Sequence, residues 1–271
     1  MINALRRLLN RFEIYRILRA GQWTARGAHR ADVWKDVLEE APVAGLPTTA
    51  AIIPSPNPLR TYFDGITRGK GIWKWTHYFD IYHRHFQKFI GREVNIVEIG
   101  VYSGGSLGMW KTYFGTGCQV YGIDINEACK AYESDKIKIF IGDQGDRGFW
   151  QNFRRAVPVI DILIDDGGHL PEQQIVTLEE TLPYLRAGGV YVCEDIHGVH
   201  NRFSNYLAGF ADRLNACALK GGPGSSATTS ALQRAISSIH LYPFVAVIEK
   251  SCTPVEELAS VKHGTEWQPF L

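Results

Sequence analysis

The sequence predicts an α/β protein built on an open, seven-stranded, mostly parallel sheet with a helical extension ahead of it. Three observations carry this. From Val94 onward, short apolar strands alternate with helical stretches in units of about 25 to 30 residues, the period of βαβ crossovers. Those strands are nearly continuous apolar runs, as a parallel sheet covered on both faces requires. The last two strands, in "IHLYPFVAVIEK", meet at Tyr242-Pro243, and so tight a join forces an antiparallel pair.

The elements follow in order. "VNIVEIG" is the first strand, and "SGGSLGMWKTYF" a helix that Ser103 is placed to cap. "CQVYGID" and "KIKIFIGD" are the second and third strands, and "DRGFWQNFRRA" is the next helix. "DILIDD" is the fourth strand, "PEQQIVTLEETLPYL" a helix opened by Pro171, and "GGVYVCED" the fifth strand. "HNRFSNYLAGFADRLNACALKGG" reads as a helix, "PGSSATTS" as a flexible loop and "ALQRAISS" as a short helix before the hairpin. Upstream, Arg60–Trp75 reads as a glycine-bearing loop, followed from about Thr76 by a helix with Phe79, Tyr82, Phe86 and Phe89 on one face. "GLPTTAAIIPSPNPLR", with its four prolines, reads as an irregular connector. In the first 20 residues Ile2, Leu5, Leu8, Leu9, Phe12 and Tyr15 recur at helical spacing among arginines. That pattern is a packing or oligomer-contact helix, with a membrane-surface helix or transit peptide as alternatives. The domain division is an extension over 1–90, a catalytic domain over 91–252 and a tail over 253–271.

Composition narrows the function. Of the 271 residues 45% are hydrophobic, enough for a full globular core, and a net charge of +1 does not suit a generic nucleic-acid binder. No stretch approaches the ~20 uncharged apolar residues of a membrane span. Five cysteines without C-x-x-C spacing read as reduced thiols of a cytoplasmic protein rather than a disulfide framework or zinc site.

Chemistry gathers at the strand ends. In an open parallel sheet, ligands bind beyond the carboxyl ends of the strands. Here those ends carry Glu98 and Gly100, Asp124, Asp143 and Gln144, Asp165, Asp166 and His169, and Glu194 and Asp195. Single acids cap helices, but five acid-bearing ends exceed what capping explains. The first turn, "EIGVYSGGS", has Tyr102 where a dinucleotide fold has its second glycine, which leaves less room for a pyrophosphate. Asp124 sits where an acid takes the ribose hydroxyls of an adenosine cofactor, or equally caps a helix. If the fourth and fifth strands are neighbours, Asp166, Glu194 and Asp195 can converge. Three unpaired carboxylates would repel one another, and a hard cation such as Mg²⁺ removes that repulsion; pairing with Arg147 or Arg202 is the alternative. His169 lies beside them, placed to take a proton near neutral pH.

The blocks "VEIGVYSGGSLGMW", "YGIDI", "GDQGD", "DILIDDGGH" and "GGVYVCEDIHG", in this order, resemble the metal-dependent sugar O-methyltransferases of antibiotic biosynthesis. These are the macrocin and mycinamicin type, related to the cephalosporin hydroxylase-like group, and the match runs from about Lys70 to Lys250. "GIWKWTHYFDIYHRHF" resembles the H-x-x-x-x-Y segment of that family, and Gly168 stands where the family more often has serine. The resemblance implies a Rossmann-like class I methyltransferase fold, S-adenosylmethionine and Mg²⁺ as cofactors, a sugar or glycoside as substrate, and a homo-oligomer. It implies Asp166, Glu194 and Asp195 as metal ligands and His169 as general base. Glu98, Gly100, Ser106, Asp124, Asp143 and Gln144 would line the cofactor site, with Asp165 near it. A catechol-type methyltransferase, an NAD-dependent oxidoreductase and a non-catalytic binding protein on the same fold remain alternatives. The segments Arg60–Trp75 and His200–Ser230 are the expected substrate lid.

Overall fold

The structure is a computed structural model that describes residues 21–22, 24–32, 56–198, 201–216, 226–261 and 263–264. The chain forms two compact units, Met1–Pro54 and Ser55–Leu271. In the first, residues 24–32 are helical and exposed. The helix predicted over the first 20 residues lies outside the described residues.

The second unit begins earlier than the loop expected after Arg60. Asn57 accepts from the backbone N–H of Leu59 and Arg60, and Pro58 occupies the first helical turn, so α1 (Pro58–Gly65) forms. The Asn57 amide also donates to the Phe79 carbonyl at 2.9 Å, tying α1 to α2 (Tyr78–Phe86). Phe79, Tyr82 and Phe86 are buried as their spacing predicts, with Phe89 partly buried in the following turn. The boundary drawn at residue 90 falls inside this unit.

The strands are β1 (Val94–Ile99), β2 (Cys118–Asp124), β3 (Ile137–Ile141), β4 (Ile160–Asp165) and β5 (Leu185–Cys193). Helices α3 (Gly105–Phe114), α4 (Arg147–Ala156) and α5 (Pro171–Thr181) connect them, and α6 (Arg202–Asn215) follows. Two more segments, β6 (Ser226–Thr228) and α7 (Ala231–Ala235), precede β7 (Ile236–Tyr242) and β8 (Val245–Lys250), and β9 (Glu257–Ala259) comes last. The main sheet has the order β3-β2-β1-β4-β5-β8-β7, and β8 runs antiparallel to both its neighbours. The predicted hairpin is therefore present, turned at Pro243 and Phe244, where Phe244 adopts φ +65°. Two expectations are corrected. The loop at 223–230 contains β6, which pairs with β9, because the chain beyond the hairpin returns to supply hydrogen-bond partners. Ser103 does not cap α3; Gly104, at φ +72°, takes that position without a side-chain bond.

Alternation along the strands sorts the core into two layers. Ile96, Ile162, Ile164, Val190 and Val192 face α1, α2 and α3, packing against Tyr82, Phe86 and Trp110. Val97, Ile99, Leu163, Tyr191 and Cys193 face the other way, toward Trp150 and Phe153 of α4, Leu178 of α5 and Phe203 of α6. Period two on strands covered on both sides is why the strands read as unbroken apolar runs. Among the described residues no helix is long and apolar enough to cross a membrane. Cys118, Cys129 and Cys193 are free and buried, and Cys252 is free and exposed.

At the sheet edge, His85 of α2 is buried, with Nδ1 2.7 Å from Glu249 Oε1 and Nε2 2.9 Å from the Tyr242 hydroxyl. The bond from His85 holds the Glu249 carboxyl below its usual 4.5. A folded-state carboxyl held low stabilises above its unfolded pKa and loses that contribution as pH falls through the folded value. Glu249→Gln is thus expected to lower the melting temperature at pH 7. The gap to the parent should close as pH drops below about 4.5, which calorimetric scans from pH 7 to 3 would measure.

Candidate active site

Register sets what gathers at the carboxyl edge. Ile99 pairs with Asp165 and Asp165 with Cys193, so Gly100, Asp166 and Glu194 leave the sheet at one level. Gly100 has φ +87°, and a Cβ there would lie 2.0 Å from the Asp166 carbonyl oxygen, so the first turn packs backbone to backbone on the tip of β4.

The same alternation separates neighbouring acids. Ile164 faces the α2–α3 layer, so Asp165 faces α5, where Gln144 Nε2 donates to its Oδ1 at 2.8 Å and to Thr177 Oγ1 at 3.1 Å. Burial pushes the Asp165 carboxyl up to about 6, with the Gln144 bond opposing. Asp166 falls on the opposite side. Cys193 faces α5 and α6, so Glu194 turns toward α2. There Tyr82 Oη donates to Glu194 Oε1 at 2.5 Å.

Between these acids stands Lys74. Its ammonium lies 2.5 Å from Asp166 Oδ2, 2.9 Å from Glu194 Oε2 and 3.8 Å from Glu98 Oε1. Burial works against this charge, but Glu194, Asp166 and Glu98 outweigh it and hold Lys74 protonated. Burial raises the Glu194 carboxyl; Lys74 pulls it back and Asp166 pushes it up again. Glu98 is raised by burial too, against Lys74 and the 2.7 Å bond donated by Ser106 Oγ.

Asp195 has φ +53°, which swings it out of the strand. Its Oδ1 accepts from Tyr78 Oη at 2.6 Å and Trp75 Nε1 at 3.0 Å, and its Oδ2 lies 3.6 Å from His169 Nε2. His169 has φ +56°, and its Nδ1 is buried without a hydrogen bond. Asp166, His169 and Asp195 each bring a ligand atom within 4.8 Å of the others. Glu194 is not in that trio, and its two oxygens are bonded to Tyr82 and Lys74. Arg147 pairs with Glu179 and Glu180, and Arg202 with Glu172, so neither arginine neutralises the expected metal ligands.

A cleft of about 1060 Å³ opens over this edge, lined by Gly71–Thr76 as well as by the strand tips. Gly100, Ser106, Asp124, Asp143 and Gln144 line it together with Asp166, His169, Glu194 and Asp195. Glu98 and Asp165 lie beneath its floor. Asp124 Oδ2 accepts from the backbone N–H of Val101 at 3.0 Å and of Tyr102 at 3.1 Å, and Oδ1 from Asn126 at 2.8 Å. The carboxylate thereby holds Tyr102 at φ +47°, a backbone state ordinarily left to glycine. That is how a tyrosine stands in the glycine turn. Lys74, Trp75, Tyr78 and Tyr82 are the site residues that strand-end reasoning missed. The signal available was the pair of hydroxyls at 78 and 82, one turn apart on an otherwise apolar helix face.

No protein-family model matches the chain. Curated relatives are found. The 8-demethyl-8-alpha-L-rhamnosyl tetracenomycin-C 2'-O-methyltransferase of Streptomyces olivaceus is 31% identical over 204 residues, which is 68% of this chain and 53% of that protein. Demethylmacrocin O-methyltransferase of Streptomyces fradiae is 38% identical over 122 residues, 42% of this chain and 30% of that protein. Mycinamicin VI 2''-O-methyltransferase of Micromonospora griseorubida is 31% identical over 190 residues, 62% of this chain and 47% of that protein. The solved structure of MycE methyltransferase in complex with Mg and SAH superposes with a TM-score of 0.59 at 27% identity, over 73% of this chain and 55% of that one. The chain spans about half the length of the curated relatives it matches over most of its own length. Sheet order and carboxyl-edge cleft define a class I methyltransferase fold. Within that class, the chain belongs to the family of the macrocin- and mycinamicin-type O-methyltransferases.

Two substitutions probe the geometry. Tyr82→Phe leaves a buried carboxylate oxygen without its donor and should cost about 1–3 kcal/mol in urea unfolding. Gly100→Ala forces the first turn off the β4 tip at a backbone that favours glycine, and should destabilise by more than the ~1 kcal/mol that a strain-free exchange would contribute to stability.

Proposed function

We propose that this protein is an S-adenosylmethionine- and Mg²⁺-dependent O-methyltransferase acting on a hydroxyl of a sugar or glycosylated natural product. The observation that carries the reading is the convergence of Asp166, His169 and Asp195 on the floor of a cleft whose other end is walled by the β1 and β2 tips. The named relatives are O-methyltransferases, and the name of the Streptomyces olivaceus enzyme gives a rhamnosyl tetracenomycin-C as its substrate, which supports the same substrate class.

The residues present fit both cofactors. The two carboxylates of Asp166 and Asp195 are oxygen donors close enough to share a hard divalent cation, with the His169 imidazole beside them left free to act as a base. Asp166 and Asp195 would hold the ion, with Glu194 completing the set by exchanging its bond to Lys74. The nucleoside would lie along Gly100, Asp124, Ile125, Asp143 and Gln144, where the backbone contact at Gly100 leaves the floor without a side chain. When bound, S-adenosylmethionine supplies an electrophilic methyl group, and the cation makes a coordinated hydroxyl more acidic.

The chain's own groups do the rest. Tyr78 and Trp75 fix Asp195 Oδ1 and so orient its second oxygen toward His169. His169 Nε2, 3.6 Å from Asp195 Oδ2, would take the proton of the acceptor hydroxyl as that oxygen bonds the methyl carbon and the donor's sulfur–methyl bond breaks, its electron pair staying on sulfur. The exposed rings of Trp73, Trp75 and Tyr102 line the mouth and offer flat apolar faces to a sugar ring or its aglycone. Holding acceptor and methyl donor in line is worth up to ~7–11 kcal/mol. A reducing cytoplasm suits the free thiols, and the reading includes a homo-oligomer, which light scattering on the purified chain checks.

His169→Ala should lower methyl transfer to a panel of glycosides by roughly 10²-fold or more, followed by mass spectrometry, with S-adenosylmethionine affinity held within a few-fold. Asp166→Asn should do the same and also remove the response to Mg²⁺. Near-normal turnover in both variants rules the assigned roles out.

A further inference from the structure

Beyond the bond that Glu194 would exchange, Lys74 has no task in the chemistry just described. Yet three strand tips aim carboxylates at it: Glu98 from β1, Asp166 after β4 and Glu194 after β5. Its side chain is 3% exposed, and those of Glu98 and Glu194 are fully buried. Glu98 Oε1 makes no hydrogen bond, and the Lys74 ammonium is the opposite charge that faces it. A buried carboxylate without compensation is costly, so the ammonium stabilises this cluster whenever no other cation is there.

Asp166 belongs to two sets at once. Its Oδ2 is taken by Lys74, while its carboxylate is also within reach of an ion shared with His169 and Asp195. Glu194 lies outside that trio, and the one oxygen that Tyr82 leaves it, Oε2, is held 2.9 Å from Lys74. An ammonium and a divalent ion cannot both crowd these oxygens, because they repel. Lys74 sits in the irregular stretch between α1 and α2, in neither helix nor strand, so it can withdraw without breaking a backbone ladder. Its neighbour Trp75 bonds Asp195, so consecutive residues grip the carboxylates on both sides of the ion position.

We infer that Lys74 is a resident counter-ion: it bridges Asp166 and Glu194 in the metal-free protein and is displaced from them when a divalent cation binds. The inference rests on the assignment of a divalent cation to these carboxylates. It makes two demands. Removing the ammonium destabilises the metal-free protein, and the same removal tightens cation binding.

The test uses the full chain stripped with a chelator, titrated with Mg²⁺ by calorimetry and melted with and without saturating Mg²⁺. Wild type is compared with Lys74→Met and with Lys74→Met combined with Glu98→Gln, which removes one buried negative charge along with the positive one. Lys74→Met should melt below wild type without Mg²⁺ and gain more from Mg²⁺ than wild type does. Both variants should bind Mg²⁺ more tightly, on the order of tenfold. Should Lys74→Met fail to fold at any Mg²⁺ concentration, the double variant decides the affinity comparison. Tight binding by the variants with none by wild type also supports the inference. Equal or weaker affinity in the variants, with wild type binding Mg²⁺ normally, overturns the counter-ion role and leaves the metal assignment standing. No Mg²⁺ binding by any of the three chains removes the metal assignment and the inference with it.

Discussion

The balance of charge at the carboxyl edge is the constraint on which this protein's working end depends. Four carboxylates, Glu98, Asp165, Asp166 and Glu194, lie within two register levels of each other at the carboxyl edge, and three of them are almost fully buried. Buried charge survives only when it is paired and hydrogen-bonded. The pairing comes from outside the alternating strand–helix pattern: Lys74 from the stretch before α2, and Tyr82 from α2 itself. The segment ahead of the sheet is therefore part of the site. Its apolar face, through Phe79 and Phe86, packs it on the core, and that packing holds the tyrosine hydroxyls over the strand tips.

A second constraint is parity. Side chains alternate along a strand, so two adjacent acids cannot point to one side unless the backbone leaves extended geometry. Asp165 and Asp166 obey the rule and divide between the two layers. Glu194 and Asp195 escape it through the left-handed backbone of Asp195, and His169 reaches the same cluster through a left-handed backbone of its own. Such states cost of order 1–3 kcal/mol each, and their surroundings must overdetermine them. Here the surroundings are visible: two donors on Asp195 Oδ1, and the Asp124 carboxylate under Tyr102. Three strained residues around one cleft mark a region shaped for binding more than for stability.

The match to the tetracenomycin-C 2'-O-methyltransferase covers 68% of this chain but 53% of that protein, so it speaks for the family and the fold rather than for an acceptor. The cleft mouth is where acceptors would be told apart, and it is built from the Trp73–Trp75 stretch and the Tyr102 turn.

Much was legible in the residues alone. Strand order of appearance, the helices between the strands, the closing hairpin and the row of polar strand ends all follow from local periodicity and short-range turn chemistry, which leave a direct trace in sequence. His169, Asp166 and Asp195 are legible in the sequence because each lies at, or within three residues of, a readable strand end. Tertiary structure alone decided which acid faces which layer, since that depends on a single residue of register. It placed Glu98 and Asp165 beneath the floor instead of along the cleft. It also drew Glu194 away to Tyr82 and carried Lys74 across 92 residues to Asp166. A pairing of that separation is set by how α2 packs on the sheet, and no local pattern records it.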